Sequence, residues 1–429
     1  MVLISETSDD GSTGGDHQIK KPKKEEDRNK KLKEKVQVSL PIPEELILRC
    51  FLLVRRCHHP SLSLVCRSFH SLMSKLYDDR LRLGYTENVL YAYVGFPPVE
   101  NPSWYILHRK PYRNLPNTIS LKLCKIDSLP PMPWGSTVVT IGSDIYVIGG
   151  RVGEKLLEDV GVGYNKPISG GRRGETSIRG GHAGERRISD VTHINCRFHE
   201  YRSLPSMKMA RCRAAAGVID GKIYVIGGRK VRTSDWVEVF DLKKQSWSSV
   251  PGPYPEAFGR GEFLTYAVMK EKIYCLDLTR NIHIYDPKES KWESWTHGPL
   301  SASWNDSSCV VDNLLFCINT SVYFLGWPIK IYDPEKKTWF YLQGLQGFPA
   351  NGLFVDGYKM ANFGGKLVIL SADVHWLRRY DCRKREIWCI EIAWERKEDG
   401  TFWGKVESVA VVLTPAKTTS VDICGTVTV

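Results

Sequence analysis

The sequence predicts a mainly β protein, a six-bladed β-propeller preceded by a small all-helical module, and three observations carry that expectation. Strand-like runs end in an aromatic residue and an aspartate at Phe240-Asp241, Tyr285-Asp286, Tyr332-Asp333 and Tyr380-Asp381, and a tryptophan follows at 247, 292, 339 and 388. The aspartates step by 45, 47 and 48 positions, a spacing typical of propeller blades. Between these marks Ala216 to Gly228 reads strand, tight turn, strand, because Asp220-Gly221 can reverse the chain where β-branched residues cannot. Ahead of all β patterning, Leu62, Val65, Phe69, Leu72 and Leu76 recur at steps of 3, 4, 3 and 4, which puts them on one face of a helix.

Residues 1–37 form a basic tail. Lys20 to Lys35 holds nine basic and four acidic residues, has little to bury, and is expected to be disordered. Lys20-Lys21-Pro22-Lys23-Lys24 serves either as a nuclear targeting patch or as a solubilising tail. Residues 38–84 make the helical module. Pro43 suits a first helical turn, Glu44 and Glu45 favour its positive end, and the apolar run Leu46 to Val54 forms the first helix. With about 45 residues such a module has a small core and needs a partner or neighbouring domain to cover its remaining apolar surface.

The β region is expected over 88–413. Leu90 to Val94 with Trp104 opens a first repeat, units around 145, 223, 273, 315 and 367 follow, and Val409 to Leu413 returns as a closing strand. That leaves 414–429 as a C-terminal tail. Six blades result, and five or seven fit the same spacings. Tyr224, Tyr274, Phe316 and Val368 are corresponding positions, separated by 50, 42 and 52 residues, as compact blades with variable loops allow. A blade cannot bury both faces alone, so its neighbours supply the missing contacts, and the tryptophans fill the wider gaps between sheets. The diglycines 149-150 and 227-228 lack the lysine and hydroxyl of a nucleotide loop and are read as permissive backbone at inner strand ends. From Arg151 to Arg187, nine glycines and eight basic against five acidic residues mark an insertion in one blade, either an expansion without structure or a partner-binding arm.

Two stretches resemble known families. Met207 to Gly228, then Val237 to Asp241 and Trp247, is similar to a Kelch repeat, with shorter echoes at 134–150, 271–295 and 311–342. Leu40-Pro41, Glu44, Leu46, Ile47 and the run Ser61 to Leu72 resemble an F-box, and their position directly before Kelch-like repeats is the arrangement of plant F-box/Kelch-repeat proteins. The resemblance implies an adaptor: the F-box binds a Skp-type protein, and through it a cullin-based ubiquitin ligase, while the propeller presents a protein substrate. It makes Leu40, Pro41, Leu46, Ile47, Leu62 and Val65 candidates for the adaptor interface, each of them equally able to pack inside the module.

Chemistry in the ring is judged separately. The 11 histidines show no H-E-x-x-H pattern or other ligand spacing, so no metal, cofactor or catalytic residue is expected. His283 and His375 read as packed or partly exposed. Arg211 and Arg213 either line the propeller opening or pair with loop carbonyls and acids. The 12 cysteines lack a C-x-x-C pair and sit partly in apolar runs, which fits reduced thiols in the cytoplasm or nucleus. The net charge of +12 is concentrated in the tail, without the stacking aromatics of a nucleic-acid surface. No apolar span near 20 residues and no signal segment are present, so neither membrane crossing nor secretion is expected. Two other readings remain: a Kelch-type interaction scaffold outside any ligase, its helical start packed on its own propeller or on another partner, and a propeller enzyme, which would need converging acids or a metal.

Overall fold

The structure, a computed structural model, describes residues 42–96, 100–112, 115–153, 186–229, 236–250, 252, 261–296, 298–319, 328–348, 358–372, 386–415 and 419–429. The chain divides into two units, Met1–Phe51 and Leu52–Val429, a boundary inside the stretch expected as one helical module. Helix α1 (Glu44–Leu52) starts as expected: Pro43 O accepts the amides of Leu46 and Ile47 at 3.0 and 3.2 Å, with Glu44 and Glu45 in the first turn.

Beyond it, a single 3-10 turn (Arg56–His58) leads into α2 (His59–Ser63) and α3 (Arg67–Leu83). The expected continuous helix through Leu62 and Val65 is therefore two helices. Cys66 is the reason: its backbone is extended (φ −159°, ψ 166°), and its thiol accepts the Phe69 amide at 3.5 Å, so it caps a new helix. Leu72, Met73 and Leu76 are buried on α3, while Val65 lies in the intervening turn. Gly84, left-handed at φ 74°, ends the helix. No helix among the described residues is long and apolar enough to cross a membrane.

The β region begins with β1 (Asn88–Phe96), β2 (Glu100–Tyr112) and β3 (Leu115–Lys125). Strands β4 (Thr137–Ile141), β5 (Asp144–Ile148), β6 (Arg151–Val152), β7 (Arg186–Arg187), β8 (Val191–Asn195) and β9 (Glu200–Leu204) follow. Two complete meanders come next: β10 (Ala215–Ile219), β11 (Lys222–Ile226), β12 (Val237–Asp241) and β13 (Ser246–Val250), then β14 (Phe263–Met269), β15 (Lys272–Asp277), β16 (Ile282–Asp286) and β17 (Lys291–Trp295). After a short helix α4 (Pro299–Ser303) run β18 (Ser308–Val311), β19 (Leu314–Ile318), β20 (Ile329–Asp333) and β21 (Thr338–Gln343). Last are β22 (Tyr358–Phe363), β23 (Lys366–Ala372), β24 (Ile387–Arg396), β25 (Phe402–Leu413) and β26 (Ser420–Thr428).

Apart from the two-stranded pair β6–β7, these strands form a propeller-like set of four four-stranded sheets and one eight-stranded sheet, rather than six separate four-stranded blades. In the larger sheet the meanders β18–β21 and β22–β25 join where Leu342 and Gln343 run parallel to Phe402 and Trp403. Two glycines make the junction sterically possible. A Cβ on Gly344 would sit 2.3 Å from the Trp403 ring, and one on Gly404 would sit 2.6 Å from Leu345. The innermost strands neighbour one another in the cycle β4, β10, β14, β18, β22, β26 and back to β4.

The chain ends differently from expectation. Val409 to Leu413 belong to β25, paired with β24, and β26 pairs with β1 to complete the first sheet. Apolar residues alternate with polar ones in β26, which buries Val421 and Val427 but reads as a tail in sequence. The ends of the fold are tied: the Glu87 amide donates to Val429 O at 2.7 Å and the Val429 amide to Glu87 O at 2.9 Å.

The repeat has a physical basis. Phe240, Tyr285 and Tyr332 pair with Trp247, Trp292 and Trp339 across equivalent third and fourth strands. Oδ1 of Asp241, Asp286 and Asp333 accepts two amides of the following turn, and Gln245, Ser290 and Lys337, each four residues on, have φ near +50°. That five-residue turn fixes the Asp-to-Trp spacing. Trp388 breaks the series: it lies on β24, a third strand, and the register puts Ile392 in the aromatic place and Val406 in the tryptophan place. Asp381 lies outside the described residues. The second pattern holds throughout, because Tyr224, Tyr274, Phe316 and Val368 all sit on second strands opposite Gly217, Ala267, Cys309 and Ala361.

Candidate functional site

Antiparallel order gives each meander two unlike edges. Connections from first to second strand and from third to fourth emerge at one edge; those from second to third, and the exit to the next sheet, emerge at the other. The first is here the turn edge and the second the loop edge.

The helical residues of the larger unit lie on the turn edge. Arg56 Nη2 donates to Cys196 O and, at 3.2 Å, to Arg197 O, both in the β8–β9 turn. Arg197 reaches back to Asp78 on α3 at 2.9 Å and to Ser143 in the β4–β5 turn at 3.1 Å, and Tyr77 meets Phe198 edge-on at 5.3 Å. Buried Arg80 links the helices to the linker: Nη1 donates to Leu52 O and Val54 O at 2.8 and 2.9 Å, and Nη2 pairs with Glu87 at 2.6 Å. Burial, the Arg56 guanidinium and His108 push the His199 imidazole down to about 4, so it is neutral at pH 7 where it bonds the Tyr91 hydroxyl at 2.8 Å.

The candidate adaptor residues are not all alike. Leu40 and Pro41 lie outside the described residues. On α1, Leu46 is half exposed and Ile47 is buried. Leu62 is half-buried on α2, whereas Val65 is 65% exposed in the turn before α3, beside Leu64 at 86%. Leu53, 73% exposed, also reaches water. Periodicity concealed Leu64 and Leu53, since it assigns faces only where a helix is continuous.

The loop edge is knit by backbone contacts. Gly150 and Gly228, with positive φ, donate to Arg211 O at 2.8 Å and Gly261 O at 2.6 Å, the next sheet's entry in each case. A Cβ at Gly149 or Gly227 would come within 2.5 or 2.6 Å of a carbonyl oxygen, so the diglycines serve close approach as expected. Arg211 does not line an opening. It is buried, ion-paired with buried Glu238 at 2.9 Å, and donates to Gly227 O and Trp236 O. Glu238 also accepts the amides of Lys208 and Met209 at 2.6 and 3.2 Å, which satisfies both of its oxygens. The insertion begins and ends as a ladder, β6 against β7, with 154–185 outside the described residues.

Inside the ring, β4, β10, β14 and β18 line a mostly apolar cavity of about 320 Å³ between Val139, Gly217, Ala267 and Cys309. Burial pushes the Cys309 thiol up, which leaves it a poor nucleophile. His283 is buried between Asp277 and Ser294 at 3.2 and 3.0 Å, a packed pair rather than a cleft; His375 lies outside the described residues. Among the described residues no group of three or more His, Cys, Asp or Glu is arranged to hold a metal ion.

Comparison with known proteins matches both halves. The family model described as FKB95, Kelch-repeats domain covers residues 177–413, and the F-box domain model covers residues 40–81. Two Kelch repeat-containing proteins of Arabidopsis thaliana are 42% and 40% identical over 455 and 451 residues, each alignment covering 100% of both chains. An F-box/kelch-repeat protein of the same plant is 41% identical over 419 residues, covering 96% of this chain and 95% of that protein.

Proposed function

The chain belongs to the plant F-box/Kelch-repeat proteins, and from that membership we propose that it is the substrate-recognition adaptor of an SCF-type cullin ubiquitin ligase. It contributes no catalytic group: the helical residues bind a Skp-type protein, the β region holds a protein substrate, and ubiquitin transfer belongs to other subunits. Its effect on rate is that of a tether, which raises the local concentration of substrate and orients its lysine. The observation that carries the reading is the exposure of Leu53, Leu64 and Val65 in a segment matched as an F-box. The helical residues of the larger unit meet the turn edge through Arg56, Asp78 and Tyr77 and leave these apolar groups in water, so packing on the β region does not account for them.

In this reading Leu46, Leu62 and Val65, with Leu64, contact the Skp-type protein, Leu40 and Pro41 precede them in the same interface, and Ile47 supports it from within. The β region is a six-bladed ring, the eight-stranded sheet counting as two blades; the closed cycle of innermost strands supports that count, and β26 extends the ring to residue 428. Free buried thiols such as Cys275 and Cys389 support a cytoplasmic or nuclear location.

The test is capture of a purified plant Skp-type protein by the intact chain and by Leu64→Asp/Val65→Asp. Since both side chains are exposed, the variant should keep its thermal midpoint and lose the complex. A wild-type chain that captures no Skp-type protein would favour a Kelch scaffold acting outside a ligase.

A further inference from the structure

On the loop edge two guanidiniums stack on one tryptophan, and a third shares a carboxylate with one of them. Arg213 stacks on Trp134 with its Cζ 4.6 Å from the ring centroid, and Arg151 does so at 5.0 Å. Arg151 and Arg187 reach the same carboxylate oxygen, Oε1 of Glu262, at 3.2 and 2.6 Å. All three arginines are near the buried Cys212 thiol, which they pull down while burial pushes it up further.

Glu262 is shared between two of the guanidiniums, and Arg213 forms no ion pair among the described residues, only its stacking contact. Arg213 is also held in a left-handed backbone conformation, φ 54°, an unfavourable setting for a bulky residue. Backbone bonds on both sides fix it there: its amide donates to Gly135 O at 2.8 Å, and its carbonyl accepts the Phe263 amide at 3.0 Å. A half-buried guanidinium pre-positioned by stacking and backbone, with no carboxylate of its own, is suited to receiving one from outside.

We propose that the Arg151, Arg187, Arg213 and Trp134 cluster is a recognition site for an acidic segment of the protein substrate. The inference rests on the adaptor reading and deepens it: the substrate class is a protein with a Glu- or Asp-rich segment, bound at the loop edge. A nucleic acid fits less well, because two guanidiniums already take up the Trp134 ring that a base would need, and Glu262 would face a phosphate.

The probe is a short fluorescein-labelled peptide of alternating Glu and Gly, titrated against the intact chain by anisotropy, with the Gln-Gly peptide and a single-stranded oligouridylate as comparisons. The basic tail attracts any anion, so Arg213→Glu is measured beside Lys244→Glu, the same charge change on an exposed turn-edge residue. The expected result is salt-sensitive binding of the Glu-Gly peptide, weakened about tenfold or more by Arg213→Glu and little by Lys244→Glu. Equal weakening by both variants, no binding, or tighter binding of the oligouridylate lost with Arg213→Glu would overturn the proposal. Capture of the Skp-type protein by Arg213→Glu, measured in parallel, should be unchanged, so failure of the adaptor reading registers there and failure of this site registers in the peptide titration.

Discussion

The two edges of the β region handle the same problem, how to join strands, in opposite ways. At the turn edge of three meanders the third and fourth strands are joined by five-residue turns with an aspartate at the start and a left-handed residue at the end, and the helical residues of the larger unit dock on the β8–β9 turn, where Asn195 takes the aspartate's place. At the loop edge connections are longer, diglycines bring backbones into contact, and arginines supply the cohesion. The difference teaches where variation is tolerated. A turn that fixes register admits few changes, whereas a connection held by side chains and ion pairs can change its outer residues and keep its anchors.

The largest effect should come from the loop edge. Arg211→Ala leaves Glu238 buried without its cation and should cost about 3–5 kcal/mol, read as a drop in the urea midpoint. A loss under about 1 kcal/mol would mean that the pair is dispensable.

At the turn edge the docking contact should respond to acid. Burial and the nearby Arg56 and His108 push the His199 imidazole down to about 4 in the folded chain, against 6.5 for an unperturbed imidazole, so between those values the unfolded chain binds a proton that the folded chain refuses. Stability is fully present above 6.5 and should fall by up to about 3 kcal/mol as pH drops through that window. His199→Gln should flatten that part of the pH profile; parallel profiles would contradict the assignment.

Smaller changes sharpen the contrast further. Gly227→Ala puts a Cβ 2.6 Å from Gly261 O at positive φ and should cost about 2 kcal/mol, whereas a neutral result would show that the connection can relax. Asp241→Ala removes two amide contacts at an exposed turn and should give the smallest drop in the urea midpoint of these variants. An effect as large as that of Arg211→Ala would invert the comparison.

The parts legible in sequence were those in which one residue type does one physical job. The Asp-to-Trp spacing is the length of a turn, and the second-strand positions from Tyr224 to Val368 keep one register. Where another residue does the job, the signal fades: in β8–β9 Asn195 replaces the aspartate, accepting the Arg197 amide at 3.0 Å, and Tyr201 replaces the tryptophan. Trp388 was misread because a nearby tryptophan at the right interval sits on the wrong strand. The break at Cys66 was hidden because its neighbours keep helical periodicity across it, and β26 because its alternation carries few apolar residues. For the candidate site, the apolar run of the F-box was readable but the exposure of Leu64 was not, and the loop-edge arginines converge from positions as far apart as 151, 187 and 213.

The central proposal is that the exposed turn at Leu64 and Val65 takes the Skp-type protein while the Arg213 cluster on the loop edge takes the substrate. Its most direct test is a paired binding measurement on intact protein, with Leu64→Asp/Val65→Asp and Arg213→Glu each titrated against a Skp-type protein and against the acidic peptide. The account predicts a crossed result: the first variant loses the Skp-type protein and keeps the peptide, and the second does the reverse. A variant that loses both ligands while still folded, or a pair that loses neither, would contradict it.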